Sequence, residues 1–356
     1  MFCITNELNT KNEDKKKEGD MKDNVKKIVG GVIVVVIFGT FIALWPQTQA
    51  WSGEKKFKAA ILLPGKINDK GWNMQGHRGV MMIKEQLGAE VAYSEDVVPA
   101  DQAEAFRDYA SRGFDLVLGM GGQYTDGALK VAASFPNVLF GVIGSNRGNG
   151  KNMASFNARQ EQNFYQAGVI SGLVSKSKKI AYLSGIQVDN VIRGWMGFQQ
   201  GVLSVAPGAK VQDVWTGDFE DVAKAKEAAI ALVDQGYDVI QSNSNASTFG
   251  AMEAAQAKGV YGIGCFGDYT FVAPKAVITN ILPYMYNIIF QAGKIAKSGK
   301  WEGKFYLFTF ADFDIGGFTP MNAQILGKAQ ADMLDKKIAE TKQNIKEGKI
   351  TVKGPN

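Results

Sequence analysis

Few residues in this chain could perform covalent or metal chemistry. One histidine, His77, and two cysteines, Cys3 and Cys265, are widely separated in 356 residues, whereas zinc sites and Cys/His nucleophile pairs need clustered ligands. No G-x-S-x-G elbow, H-E-x-x-H or Walker loop occurs. His77 has no supporting histidine or cysteine and reads as a satisfied surface or boundary imidazole. Glu220 and Asp221 are adjacent and would point different ways on a helix, which does not suit paired acid–base work. No catalytic residue, metal or cofactor is therefore expected. The remaining candidates are recognition residues: planar donors, aromatic faces and short amides.

Each of these candidates has two readings. In Asn68-Asp69-Lys70-Gly71-Trp72-Asn73, the glycine permits a turn and an acidic or amide side chain can cap the next helix. Trp72 then either stacks on a ligand with Asn73 beside it or packs in the core. Gly119-Met120-Gly121-Gly122-Gln123-Tyr124 looks like a dinucleotide fingerprint with tyrosine in the place of its third glycine. The amides of Gly121 and Gly122 could instead hold any polar group at a helix start. Asn157 lies in Ser155-Phe156-Asn157-Ala158-Arg159, where the chain is expected to cross between lobes. Arg193 and Trp195, after Asp189, offer a guanidinium and a stacking face, or a surface arginine and a helix-packing ring. Ser242-Asn243-Ser244-Asn245 supplies two amides, one member serving as an N-cap, and Asp268 either binds ligand or caps a turn.

The elements that must position these residues alternate between strand and helix. Short apolar runs at 58–63, 90–93, 115–118 and 138–143 are separated by segments of helical spacing at 71–87, 100–111 and 124–134. A second series follows the Gly/Asn-rich stretch 147–151, with strands at 179–183, 210–215, 238–241 and 260–263. Its helices fall at 191–205, 223–235 and 246–258. Apolar runs between amphipathic helices indicate parallel sheets covered on both faces. Two series of similar size predict an α/β protein with two doubly wound parallel-sheet lobes and a hinge. Segments 276–282 and 305–310 are expected to cross back between lobes, and 322–346 reads as a closing helix. The expected boundaries are 57–155 plus 281–310 for lobe 1 and 156–280 plus 311–350 for lobe 2. Ligands of such sheets lie at the carboxyl ends of the strands, so the cleft between the lobes is the expected site.

Composition narrows the partners. Forty basic against 35 acidic residues give only +5, with 46% hydrophobic residues, which disfavours a nucleic-acid partner. Residues 28–45 carry no charge and follow Lys22, Lys26 and Lys27. This pattern reads as a secretory signal ending near Ala50, with residues 1–20 an extension and Met21 the more natural start. About 18 apolar residues is also the lower limit of a membrane span, so an uncleaved anchor is the alternative. The mature chain is expected to be a soluble monomer outside the cytoplasm.

Asp69-x-Gly71-Trp72-Asn73, Ser155-Phe156-Asn157-Ala158-Arg159, Val191-Ile192-Arg193-Gly194 and Asp238-Val239-Ile240, taken as a set over about residues 56–300, resemble the basic membrane protein family. The resemblance implies a type I periplasmic binding-protein fold and a solute receptor that hands a small molecule to an ABC permease. Such receptors typically take purine nucleosides, stacking the base between aromatic rings and holding the ribose with carboxylates. This chain departs from that pattern. Gly144-Ser145-Asn146 replaces an aspartate segment, Cys265-Phe266-Gly267-Asp268-Tyr269 replaces a paired-aspartate segment, and Leu282-Pro283-Tyr284 lacks a lysine. Ionised acceptors hold ribose hydroxyls best, so these losses predict a purine base over its nucleoside. A nucleoside or flavin receptor, or a sensor for signalling, is the alternative.

Overall fold

The computed structural model describes residues 55–355. The apolar segment 28–45, the cleavage site near Ala50 and Cys3 lie outside the described residues.

The strands are β1 (Lys58–Leu62), β2 (Glu90–Ser94), β3 (Leu116–Met120), β4 (Leu139–Ile143), β5 (Met153–Ala158) and β6 (Lys179–Ser184). They continue as β7 (Lys210–Trp215), β8 (Val239–Asn243), β9 (Tyr261–Cys265), β10 (Val277–Pro283), β11 (Phe305–Phe308) and β12 (Gly316–Phe318). The helices are α1 (Trp72–Leu87), α2 (Gln102–Ser111), α3 (Thr125–Ala132), α4 (Gln160–Val174) and α5 (Asp189–Val205). After them come α6 (Val222–Asp234), α7 (Ser247–Lys258), α8 (Met285–Lys297), α9 (Ala323–Leu326) and α10 (Lys328–Lys346).

Two six-stranded sheets form, in the orders β11-β5-β4-β3-β1-β2 and β12-β10-β9-β8-β6-β7. All pairings are parallel except that of β12, which runs antiparallel to β10 at one edge. Central strands such as β3 and β8 are buried at every residue, because helices cover both faces of each sheet. In each sheet the order reverses beside its first strand, at β1/β3 and at β6/β8. A crevice opens at such a switch point.

Four features differ from the sequence reading. Residues 153–158 form a fully buried strand paired with β4 and β11, so the chain leaves the first sheet only after Ala158. The segment expected to cross back first, β10, stays in the second sheet beside β9, whereas β11 does return to the first. The closing helix is broken at Gly327, whose φ of +79° is readily reached only without a Cβ. Helices α4 and α8 were absent from that reading. In α4, residues on every side are buried, so no polar face marks a helical period.

Helices α4 and α5 approach backbone to backbone. A Cβ at Gly197 would collide with the Glu161 carbonyl oxygen, one at Gly201 with the Tyr165 carbonyl oxygen, and one at Gly168 with the Phe198 carbonyl oxygen. This glycine seam sets the helix that carries Arg193 directly against the first crossing between the sheets.

Candidate ligand-binding site

A cavity of about 540 Å³ lies where both sets of strand ends meet. Pro64 follows β1, Val97 to Pro99 follow β2, and Gly121 to Gln123 follow β3 on one wall. Ile186 follows β6, Gly217 to Glu220 follow β7, Asn243 to Asn245 close β8, and Phe266 follows β9 on the other.

Five of the sequence-derived residues line this cavity: Trp72, Gly121, Gly122, Asn243 and Asn245. Trp72 is only 9% exposed; its indole N–H donates to the Met120 carbonyl at 3.2 Å, and its ring meets Phe266 edge-on at 5.2 Å. It therefore has a structural role as well as a surface on the cavity. The Gly121 N–H is spent on the Ile143 carbonyl at 3.0 Å, so this amide is not free for a ligand as the sequence reading had it. Phe266 holds a φ of +68°, an uncommon conformation for a bulky side chain and one that clusters at functional sites.

The other five residues lie outside the lining and have other partners. Asn73 is 1% exposed, donates to Asp69 Oδ2 at 2.8 Å and accepts from the Gly65 N–H at 3.1 Å, which fixes the turn before α1. Asn157 donates to Asp189 Oδ2 at 2.8 Å and accepts from the Ala158 N–H. Arg193 donates from Nε to the same Asp189 oxygen at 2.8 Å and from Nη1 to Glu161 Oε1 at 3.2 Å. Asn157 and Arg193 thus tie the first sheet to α5 at the crossing. Trp195 packs against Tyr182 at 5.5 Å between centroids. Asp268 is exposed and accepts from the Thr270 N–H and from Asn280, as a turn cap does.

The sequence reading missed Gln102, Asp218, Phe219 and Glu220, all of which line the cavity. From the sequence, Glu220 reads as one of an adjacent acid pair with Asp221 on a helix, and the cleft reads as short of carboxylates. That reading is corrected, because Asp218 and Glu220 both sit on the loop leaving β7. A usable signal was the strand-end position of Thr216-Gly217-Asp218-Phe219-Glu220. Glu220 Oε1 accepts from Asn245 Nδ2 at 2.6 Å, and the Asp218 carboxylate accepts from the Glu220 N–H at 2.7 Å. Glu220 is reached by water through the open cleft but is ringed by protein. That partial burial lifts its carboxyl above the ordinary value; nearby Asp69 and Asp218 push the same way, against the Asn245 hydrogen bond. No lysine, arginine or histidine lines the cavity.

Two lining side chains hold buried polar atoms with no partner: Gln102 Nε2 on the first wall and Asn243 Oδ1 on the second. Buried polar groups are rarely left unpaired, and these two atoms are enclosed by protein rather than open to the cavity.

Two facing α/β lobes with a cavity at the strand ends define a two-lobed binding protein of type I periplasmic binding-protein architecture. The chain belongs to the Bmp family of ABC transporter substrate-binding proteins, described as PnrA-like, which matches residues 56–352. A purine-binding protein of Brucella abortus is 28% identical over 254 residues, covering 70% of this chain and 72% of that protein. Basic membrane protein B of Borreliella burgdorferi is 25% identical over 287 residues, covering 76% of this chain and 83% of that protein. A solute-binding protein of an ABC transporter system from Aeropyrum pernix superposes with a TM-score of 0.70 at 18% identity, over 84% of this chain and 94% of that one. The family is one of binding proteins that serve ABC transporters with a small-molecule ligand.

Proposed function

We propose that this chain is an exported receptor that captures a planar heterocycle, a purine base in the first instance, and delivers it to an ABC permease. The observation that carries the reading is the lining itself: Trp72 from one lobe and Phe219 from the other share a cavity free of cationic side chains. Flat rings gain about 0.5–1.5 kcal/mol from aromatic contacts beyond area burial. A phosphorylated or carboxylate solute would meet Asp218 and Glu220 with no countercharge. The purine-binding relative from Brucella abortus supports the same class. Export rests on the apolar segment 28–45 and its basic flank; mass spectrometry of the mature amino terminus tests cleavage near Ala50 against a retained anchor.

A nucleoside is the second reading, and the carboxylates of Asp218 and Glu220 favour it, since ionised acceptors suit ribose hydroxyls. Calorimetry with adenine, guanine, hypoxanthine, xanthine and their nucleosides separates the two, with small-angle scattering to follow lobe closure. Saturable binding of a free base, tighter than that of its nucleoside, is the expected result. Nucleoside binding with no response to any base overturns the base preference. Silence across the panel overturns the heterocycle.

A further inference from the structure

Outside the cavity the two lobes touch directly, where the loop leaving β1 meets the loop leaving β9. A Cβ at Gly267 would collide with the Lys70 carbonyl oxygen. Gly267 is not among the glycines of positive φ, so it is the close approach of the other lobe, and not a turn, that requires a residue without a side chain there. Lys70 itself holds a φ of +54°, a conformation that a non-glycine residue keeps only when its surroundings over-determine it. Its Nζ lies over the Phe271 ring, 4.4 Å from the centroid. Phe271 is 60% exposed, more than any other large apolar side chain among the described residues, and meets Phe249 of its own lobe edge-on at 6.2 Å. Neither loop yields easily. Asp69 accepts from the N–H groups of Gly71, Asn73 and Met74 at 2.8, 2.8 and 3.0 Å. On the other side Asn280 accepts from the Tyr269 N–H at 3.1 Å and donates to Asp268 at 3.0 Å. With each loop pinned inside its own lobe, rotation of one lobe against the other is the softest way to relieve a clash between them.

We propose that Lys70, Gly267 and Phe271 form a latch that biases the lobes toward each other from outside the cavity and sets how long a ligand is kept without touching it. None of the three lines the cavity. The bare Gly267 backbone lets the loops approach, and the Lys70 ammonium is then drawn to the face of the Phe271 ring. A ligand enclosed between the lobes leaves only after this contact parts, so the latch acts on release and not on selection. The inference goes beyond the heterocycle reading and holds for any small ligand of the cleft.

Two measurements test it. Small-angle scattering of the ligand-free protein reads the separation of the lobes and needs no ligand. Gly267→Ala, which inserts a methyl group between the loops, is expected to enlarge the radius of gyration while leaving the thermal midpoint close to that of the parent. Stopped-flow release of adenine is the second. Lys70→Met and Phe271→Leu, which keep apolar bulk but remove the cation or the ring, are each expected to speed release about two- to fivefold, the order of an exposed cation–π contact. The double variant is expected to be no faster than the single ones, since the two act as a pair. Gly267→Ala is expected to speed release about tenfold, and the order of affinities among the purine bases is expected to stay the same in every variant. A ligand-free parent already as expanded as Gly267→Ala overturns the proposal. So does a Gly267→Ala protein of parental radius, whether its midpoint falls or not, because the methyl group is then absorbed within one lobe. Additive effects of Lys70→Met and Phe271→Leu, or none, overturn the pairing. If adenine does not bind, scattering alone decides, and the heterocycle reading falls by itself.

Discussion

Replacing Arg193 by methionine is expected to cost stability far more than affinity. The Arg193 side chain is 6% exposed, its two ion-pair partners are Glu161, fully buried, and Asp189, 12% exposed, and it lies outside the cavity. Asp189 would keep amide donors from Asn146 at 3.2 Å and Asn157 at 2.8 Å. Glu161 would keep only Arg159, 3.9 Å away, because its second oxygen has no partner. Breaking a buried pair by removing one partner costs about 3–5 kcal/mol, a large share of the roughly 5–15 kcal/mol that holds a domain together. Urea unfolding followed by circular dichroism at neutral pH is the assay, with the slope checked for two-state behaviour. Adding Glu161→Gln to the methionine variant removes the stranded charge and is expected to return about half the loss or more. A loss below about 1 kcal/mol, or one that Glu161→Gln does not relieve, refutes the assignment of Arg193 to the crossing. So does a fully folded variant that has lost its ligand, since that would return Arg193 to the site.

Three further outcomes follow from the same structure. Burial raises the Glu161 carboxyl above its ordinary value, against the pull of Arg193; between the ordinary and the raised value the native state holds a proton that the unfolded chain gives up, and above the raised value it is the carboxylate that pairs with Arg193. The proton's contribution to stability is fully present below the ordinary glutamate value and is lost as pH rises through the raised one, so Glu161→Gln should flatten that acid-side slope in unfolding measured between pH 4 and 7. Gly201→Ala should destabilise by about 1–3 kcal/mol, because the new methyl group overpacks the α4–α5 seam against the Tyr165 carbonyl; a neutral effect on the thermal midpoint would contradict the close approach. Trp72→Ala should cost about 3–5 kcal/mol of stability as well as affinity, since the indole is nearly buried and bonded to Met120; loss of binding alone, with unfolding unchanged, would show that the ring serves only the ligand.

The sequence by itself determined most of the strands and the two-lobed plan, because a strand buried on both faces leaves a short apolar run that stands out between amphipathic helices. β7 was legible residue for residue, and β6, β8 and β9 were legible to within two residues at either end. It also pointed to the strand ends, where the cavity opens, and Trp72, Asn243 and Asn245 are among the residues that line that cavity. Helix α4 was invisible, since burial on all sides erases the periodicity that reveals a helix. The fate of Arg193 and Asn157 was equally hidden: a guanidinium reads the same whether it meets a ligand or Glu161, and only the approach of α4 to α5 along their glycines supplies that partner. Glu220 was dismissed as half of a helical acid pair until the loop after β7 turned it into the cavity. The orientation of the Asn243 amide depends on Tyr182, 61 residues away in sequence, and on the one proton its hydroxyl has already given to Val191. Local propensity and periodicity are written along the chain, whereas the partner of a polar atom is decided by which distant residues the sheets bring within hydrogen-bonding distance.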